Sequence, residues 1–263
     1  MLLAIDVGNT NIVLGVFEGA RLAESWRLAT LRERTSDEVG ILVTHLFARS
    51  AISLDRVSGI ILSSVVPPLT RTMEEMAERY FGTTPLTVDP ATNTGMPVLY
   101  SPASDVGADR VVNGVAAYEA YGREKRVPVI VVDFGTATTF DAISAAGEYI
   151  GGVICPGIGI SADALFQRAA RLPRVDVRKP PSVIGGTTVT SMQSGLFFGY
   201  VSMVDGIVHR MRAELDGGSR AVCVATGGMA DIIAGETTVI EHVNPDLTLQ
   251  GLRLIWERNR SSQ

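Results

Sequence analysis

A chain of 263 residues, 46% of them hydrophobic and with a mean hydropathy of +0.24, can bury a substantial core as one large domain or two smaller ones. Its formal net charge is −5 and its basic residues are scattered, so it lacks the electrostatic footprint of a partner for nucleic acid or an anionic membrane. A small-molecule partner is the better default. Cys155 and Cys223 have neither CxxC nor Cys/His spacing, which argues against a disulfide framework and a structural zinc site and for reduced, cytoplasmic thiols.

Residues 2–6, 12–18 and 21–28 read as three strands joined by the turns "VGNTN" and "EGA", a meander. Asp6 interrupts the first apolar run and no basic leader precedes it, so no signal peptide is expected. Thr35 and Glu38 are spaced as a capping box ahead of a helical period at Val39, Leu42, Val43, Leu46 and Phe47. A short apolar strand, "VSGIILSSVV", leads to Pro67-Pro68, which suits the first turn of a helix. The strand "PLTVD" and a Gly/Pro/Ser-rich loop from 90 to 106 follow.

The second half repeats this order. Strands at 129–134, 138–144 and 148–154 form another meander. Helices from 160 to 171 and 189 to 215 come next, then the strand "RAVCVAT", a short helix, the strand "TTVIEHV" and a final helix from 247 to 258. The expectation is a duplicated α/β fold with lobes at 1–120 and 121–263, each a mixed sheet flanked by helices, and a ligand cleft where strand ends meet. The helix from 189 is apolar on most of its circumference, which suits either an interior helix or a homodimer packed through it. No run reaches the roughly 18 to 20 apolar residues of a membrane span.

The two meanders share one grammar: an apolar run, an acid, a glycine, short polar residues and a second apolar run. Gly8 and Gly135 let backbone N–H groups approach an anion, while Asn9, Thr10, Asn11, Thr136, Thr138 and Thr139 add short donors. A carboxylate beside phosphate repels it unless a cation lies between, typically hydrated Mg²⁺. An Asp-Gly pair alone is also a common hairpin signal; its recurrence at matching points of both halves favours a polyphosphate site. No GxxxxGK[ST] pattern occurs, so this is not a P-loop protein. Gly157-x-Gly159-x-x-Ala162, with Asp176 beyond, imitates a dinucleotide fingerprint but lacks the βαβ context. Gly107-Ala108-Asp109-Arg110 precedes an apolar-periodic helix. Asp109 there is either a helix cap or a base that accepts a hydroxyl proton, with Arg110 beside it for an anionic group.

Together "DVGNTN", "GADR", "DFGTATT", "GGVICPG", "TTVTSMQSGLFFGYVSMVDGIV", "ATGGMA" and "NPDLTLQGL" resemble type III pantothenate kinase, a family of the actin and sugar-kinase superfamily, from the first strand to the last helix. The resemblance implies two ribonuclease H-like (actin-like ATPase) lobes and ATP-dependent phosphorylation of pantothenate, the first step towards coenzyme A. It also implies a homodimer that uses Mg²⁺ and a monovalent cation, K⁺ or NH₄⁺. By the same resemblance Asp6, Val7, Gly8, Asn9, Thr10, Asn11, Ile12 and Val13 form the ATP phosphate loop, with Asp6 on Mg²⁺. Thr136 is a nucleotide contact, Gly227 and Gly228 lie on the adenosine side, and Asp133 is the monovalent-cation ligand. Asp109 is the catalytic base, and Tyr100, Gly107, Ala108, Arg110 and Thr188 contact pantothenate. The sequence departs from the family at Gly186, where a basic or larger polar residue is common.

Overall fold

The computed structural model describes residues 1–260. The chain forms two compact units: Met1–Ala116 together with the segment from Leu247 onward, and Ala117–Asp246. In the first unit, β1 (Leu2–Val7), β2 (Asn11–Glu18), β3 (Arg21–Ala29), β4 (Gly59–Ser64) and β5 (Leu86–Thr87) make a sheet ordered β3-β2-β1-β4-β5. The meander is antiparallel, and β4 and β5 add in parallel to β1. In the second unit, β6 (Val129–Phe134), β7 (Ala137–Ile143), β8 (Tyr149–Pro156), β9 (Val222–Gly227) and β10 (His242–Val243) are ordered β10-β9-β6-β7-β8. Read from the other edge, this is the first sheet again, with β6 in the place of β1 and β9 in the place of β4. The duplication expected from element order is thus present strand for strand.

Alternation builds the first core. Leu3, Ile5 and Val7 of β1 share a face with Ile12, Leu14 and Val16 of β2 and with Ile60 and Leu62 of β4. That face is covered by α1 (Ser36–Arg49) and α2 (Pro67–Phe81) through Val39, Val43, Phe47, Leu69, Met73, Met76 and Ala77. The α1 capping box forms as its spacing predicts: Thr35 N–H donates to Glu38 Oε2 at 2.8 Å, and Glu38 N–H donates to Thr35 Oγ1 at 3.3 Å. Gly82, at φ +64°, ends α2 in the left-handed conformation.

The opposite face carries the small residues Ala4, Gly15 and Gly59, and α7 (Leu247–Arg260) packs on it with Leu249 against Gly15 and Trp256 against Gly59. The last helix therefore belongs to the first unit. A division at residue 120, with 121–263 as one lobe, does not describe the chain up to residue 260; residues 261–263 lie outside the described residues. The physical reason is the small-residue groove in β1, β2 and β4, which fits the apolar stripe Leu249, Leu252 and Ile255. α7 also braces α3 (Ala108–Ala117): Thr248 Oγ1 donates to Asn113 Oδ1 at 2.7 Å.

In the second unit, Ile130, Val132, Phe134, Phe140, Cys223 and Ala225 meet α5 (Thr188–Glu214) through Phe197, Val201, Val204 and Val208. α4 (Ile158–Arg168) precedes α5, and α6 (Ala230–Ala234) follows β9. A π-helical turn at Tyr118–Gly122 opens the unit. The strand expected over 237–243 shrinks to β10, because the Glu241 side chain takes the place of a ladder partner. Its Oε2 accepts from Cys223 N–H at 2.6 Å, and its Oε1 accepts from Arg212 at 2.5 Å. No helix among the described residues is long and apolar enough to cross a membrane.

Gly251 tests the α7 seat. A Cβ there would lie 2.2 Å from the Val112 carbonyl oxygen, a backbone atom that cannot swing away. Gly251→Ala is expected to lower the stability of the first unit by about 1–3 kcal/mol, read as a drop in the urea midpoint; an unchanged midpoint would show that α7 is not seated against α3.

Candidate active site

The first unit brings two of the predicted groups to one end of its sheet. Asp6 is the penultimate residue of β1, half-buried, with Val13 beside it on β2 and Ser63 beside it on β4. The turn beyond is closed by Gly8 N–H donating to the Asn11 carbonyl at 3.0 Å, and it is tied to the end of β3 by Thr30 Oγ1 donating to the Gly8 carbonyl at 2.7 Å. Asn9 and Thr10 at its tip are exposed, whereas Val7 and Ile12 are core residues and Val13 is half-buried. Residues 9–11 therefore offer polar groups outward while their neighbours hold the turn in the sheet.

Val65 links this end to the second group. Its N–H donates to the Val7 carbonyl at 3.0 Å, and its Cγ1 lies 3.8 Å from where a Cβ on Gly107 would be. Gly107 is the residue before α3, and Asp109 sits in the first turn, so Asp109 is not the cap itself. Its Oδ1 accepts from Arg110 N–H at 2.8 Å, the favourable contact of an acid with the amino end of a helix. A Cβ at position 107 would come within 2.6 Å of Asp109 Oδ1, so glycine is what lets the carboxylate take this position. Burial pushes the Asp109 carboxyl above its ordinary range, against the opposing pull of the Arg110 N–H and guanidinium. Arg110 is buried and Ala108 half-buried beside it; Tyr100 lies on the preceding loop and is 39% exposed.

In the second unit, Asp133, Gly227 and Gly228 come together, and Thr136 stands in the turn that follows β6. Asp133 is paired in register with Thr139 on β7 and with Thr226 on β9. Gly227, at φ +90°, passes so close that a Cβ would lie 2.6 Å from both Asp133 Oδ1 and the Phe134 carbonyl oxygen. Gly228 N–H donates to that same carbonyl at 3.2 Å. The Thr136 carbonyl accepts from Gly157 N–H at 3.1 Å, which fixes the turn to the start of α4. Gly157 follows β8, an edge strand antiparallel to β7, so the dinucleotide-like pattern has no βαβ unit around it. Sequence reasoning did not assign Gly157 this supporting part, nor Tyr200, whose OH donates to the Pro156 carbonyl at 2.6 Å and also pairs with Ser161 Oγ at 2.7 Å.

Thr188 lines a different feature, an open groove of about 1130 Å³ between α4 and α5 whose walls include Ser161, Arg168, Gly186 and Tyr200. The α5 capping box uses Thr187 and Thr190, and Thr188 stands exposed on the first turn between them. At Gly186 a Cβ would meet open space, so a larger side chain could be accommodated there.

Among the described residues, no group of three His, Cys, Asp or Glu side chains is placed to hold a metal ion. A single half-buried carboxylate beside an exposed polar turn suits an ion that draws most of its oxygen ligands from water and phosphate, as Mg²⁺ does. The buried Ser63 hydroxyl next to Asp6 in register has no hydrogen-bond partner among the described residues, which fits a site that is completed by a ligand.

The family model described as type III pantothenate kinase matches residues 2–210. A type III pantothenate kinase from Myxococcus xanthus is 57% identical over 262 residues, spanning all of both chains. Among solved structures, a chain from Campylobacter jejuni described as a conserved member of the Baf family of transcriptional activators superposes with a TM-score of 0.59 at 18% identity, over 98% of this chain and 99% of that one. A polyphosphate/ATP-glucomannokinase from Arthrobacter superposes with a TM-score of 0.52 at 14% identity, over 100% and 99%. The distant structures share the fold, two mixed sheets flanked by helices, and the full-length identity decides the rest: the chain belongs to the type III pantothenate kinase family.

Proposed function

We propose that the chain transfers the γ-phosphoryl group of ATP to the hydroxyl of pantothenate, the opening step of coenzyme A synthesis. The observation that carries this reading is the first unit's pairing of acids at one sheet end: Asp6 at the phosphate-type turn, and Asp109 held by Gly107 with its carboxyl raised by burial. A base has to lie within reach of the hydroxyl and to have an affinity for protons above that of a solvated carboxylate. Burial gives Asp109 the second property.

In this reading residues 6–13 and Thr136 contact ATP, with Gly227 and Gly228 towards its adenosine. Asp6 would hold Mg²⁺, which when bound supplies screening of the phosphate charge. Asp109 orients the pantothenate hydroxyl and takes its proton at a carboxylate oxygen, while Arg110, Gly107, Ala108, Tyr100 and Thr188 position the acceptor. The transferring group is loosely bonded in such reactions, so orientation contributes more than early deprotonation.

Three finer features belong to the same proposal. Asp133 would hold a monovalent cation, K⁺ or NH₄⁺; the close backbone around it supports this, since Gly227 leaves its carboxylate and the Phe134 carbonyl facing one small space. The chain would work as a homodimer, supported by exposed apolar residues on β8, α4 and α5, among them Ile154 at 64% and Phe166 at 45% exposure, and by the uncovered Gly195 and Gly199 of α5. The two free cysteines fit a cytoplasmic protein.

A coupled assay of ADP release tests the reaction. Wild-type chain is expected to turn over with pantothenate only when K⁺ or NH₄⁺ accompanies Mg²⁺, and Asp109→Asn is expected to lose roughly 10²- to 10⁴-fold in kcat with ATP affinity kept. Wild-type turnover in Asp109→Asn would remove that residue from the chemistry. The same substitution should reveal the cost of burying the acid. A carboxyl raised in the folded state makes the native chain bind more protons than the unfolded one above about 3.8, the ordinary value, so stability is lost as pH rises through that window. The Tm of Asp109→Asn should exceed wild type at pH 7, by a margin that narrows towards pH 3.8; a margin independent of pH would contradict the burial. Sedimentation equilibrium should return twice the 28.0 kDa chain mass, and a monomer would exclude the dimer.

A further inference from the structure

Ser63 is fully buried, and its hydroxyl has no hydrogen-bond partner among the described residues. An unpaired hydroxyl inside a protein forfeits the hydration it had in the unfolded state, so each such group calls for an explanation. The position of Ser63 supplies one. It stands beside Asp6 across the parallel β1–β4 pair, and residues side by side in such a pair project from the same face of the sheet. The opposite face at this level is apolar, with Ile5, Val7 and Leu62 in the core beneath α1 and α2. One step back along the shared face the register pair is Ala4 with Ile61, both buried and apolar. Packing alone would accept an apolar residue at position 63 as well.

The second unit makes the same choice. Thr226, also buried, is the register partner of Asp133 across the parallel β6–β9 pair, and two residues back the pair is Val131 with Val224. In both halves of the duplicated fold, then, a hydroxyl residue sits next to the acid at the strand end, while the preceding positions of that face are apolar.

We infer that Ser63 is a positioning residue of the nucleotide site: its hydroxyl bonds a water of the cation that Asp6 holds and so fixes where that cation sits against the phosphates. This rests on the reading of Asp6 as the Mg²⁺ ligand. Groups that orient a metal's waters and ligands from behind typically change metal affinity when they are removed. In the ligand-free chain the hydroxyl only costs stability.

Both halves of that statement can be measured without turnover. Calorimetric titration of Mg²⁺ into chain saturated with ADP should show Ser63→Ala roughly tenfold weaker than wild type, while ADP binding in EDTA changes less than twofold. Ser63→Thr, which keeps a hydroxyl, should restore most of the Mg²⁺ affinity. The ligand-free Tm of Ser63→Ala should equal or exceed that of wild type, which also shows that the variant folds. Wild-type Mg²⁺ affinity in Ser63→Ala overturns the inference, as does an equal loss of ADP affinity with and without Mg²⁺. Asp6→Asn separates this from failure of the parent reading: if that variant also keeps wild-type Mg²⁺ affinity, Asp6 is not the ligand; if it loses affinity while Ser63→Ala does not, the inference about Ser63 alone is wrong.

Discussion

Each unit is organised around a carboxylate near the end of a strand that is otherwise buried. In β1 and β6 all the other residues are buried, and only Asp6 and Asp133 are partly open. An ionised group cannot be carried deeper into such a strand without several kcal/mol of desolvation. It has to stand at the last turn of the sheet, next to the loop and its solvent. Parallel pairing then fixes its neighbours, because β4 and β9 run the same way and deliver their own last residues to the same edge. That edge is where α/β sheets collect ligands, and here the reason is the seating of one acid.

The same trade of stability for chemistry appears around α3. Asp109 gains an N–H from Arg110 and the field of a helix amino end, both of which favour its charged form, and burial still outweighs them. Gly107 permits this at the expense of backbone freedom in the unfolded chain. α7 braces α3 from behind, through Gly251 against the Val112 carbonyl and Thr248 to Asn113. The end of the chain thus supports an acid about 140 residues earlier in sequence, a link that only the small-residue face of β1, β2 and β4 makes possible.

Local grammar was legible in the sequence wherever a local cause sets it. The capping box at Thr35, the helix opened by Pro67-Pro68 and both meanders are encoded within a few residues, and all are present. The duplication was legible because element order repeats, even though few residues do. What could not be read was set by non-local packing. The final helix was expected in the second lobe because it follows it in sequence; nothing near 247 announces that Gly15 and Gly59 form its seat. The strand over 237–243 looked continuous because β propensity does not show that Glu241 will substitute its own carboxylate for a ladder partner. Ser63 was invisible for a similar reason: a serine in "IILSSVV" is unremarkable until register sets it beside Asp6.

Duplication also left room for the halves to diverge, and the surroundings of the two acids show how. Beside Asp6 stand Ser63 on β4 and Val13 on β2, with the exposed Asn9 and Thr10 in the turn beyond. Around Asp133 the backbone closes in, with Gly227 at φ +90° against both the carboxylate and the Phe134 carbonyl. A small divalent ion keeps most of its waters and needs groups that bond those waters. A larger monovalent ion sheds water readily and is satisfied by carbonyl oxygens that replace its shell. On the proposed assignment of Mg²⁺ to Asp6 and K⁺ or NH₄⁺ to Asp133, one strand-end geometry serves two cations: both acids have a hydroxyl residue beside them in register, Ser63 and Thr226, and what sets the second apart is the main chain at Gly227 and Phe134 that closes on its carboxylate. The difference between the two sites therefore lies in the backbone beside the acid, at Gly227, and not in the acid itself.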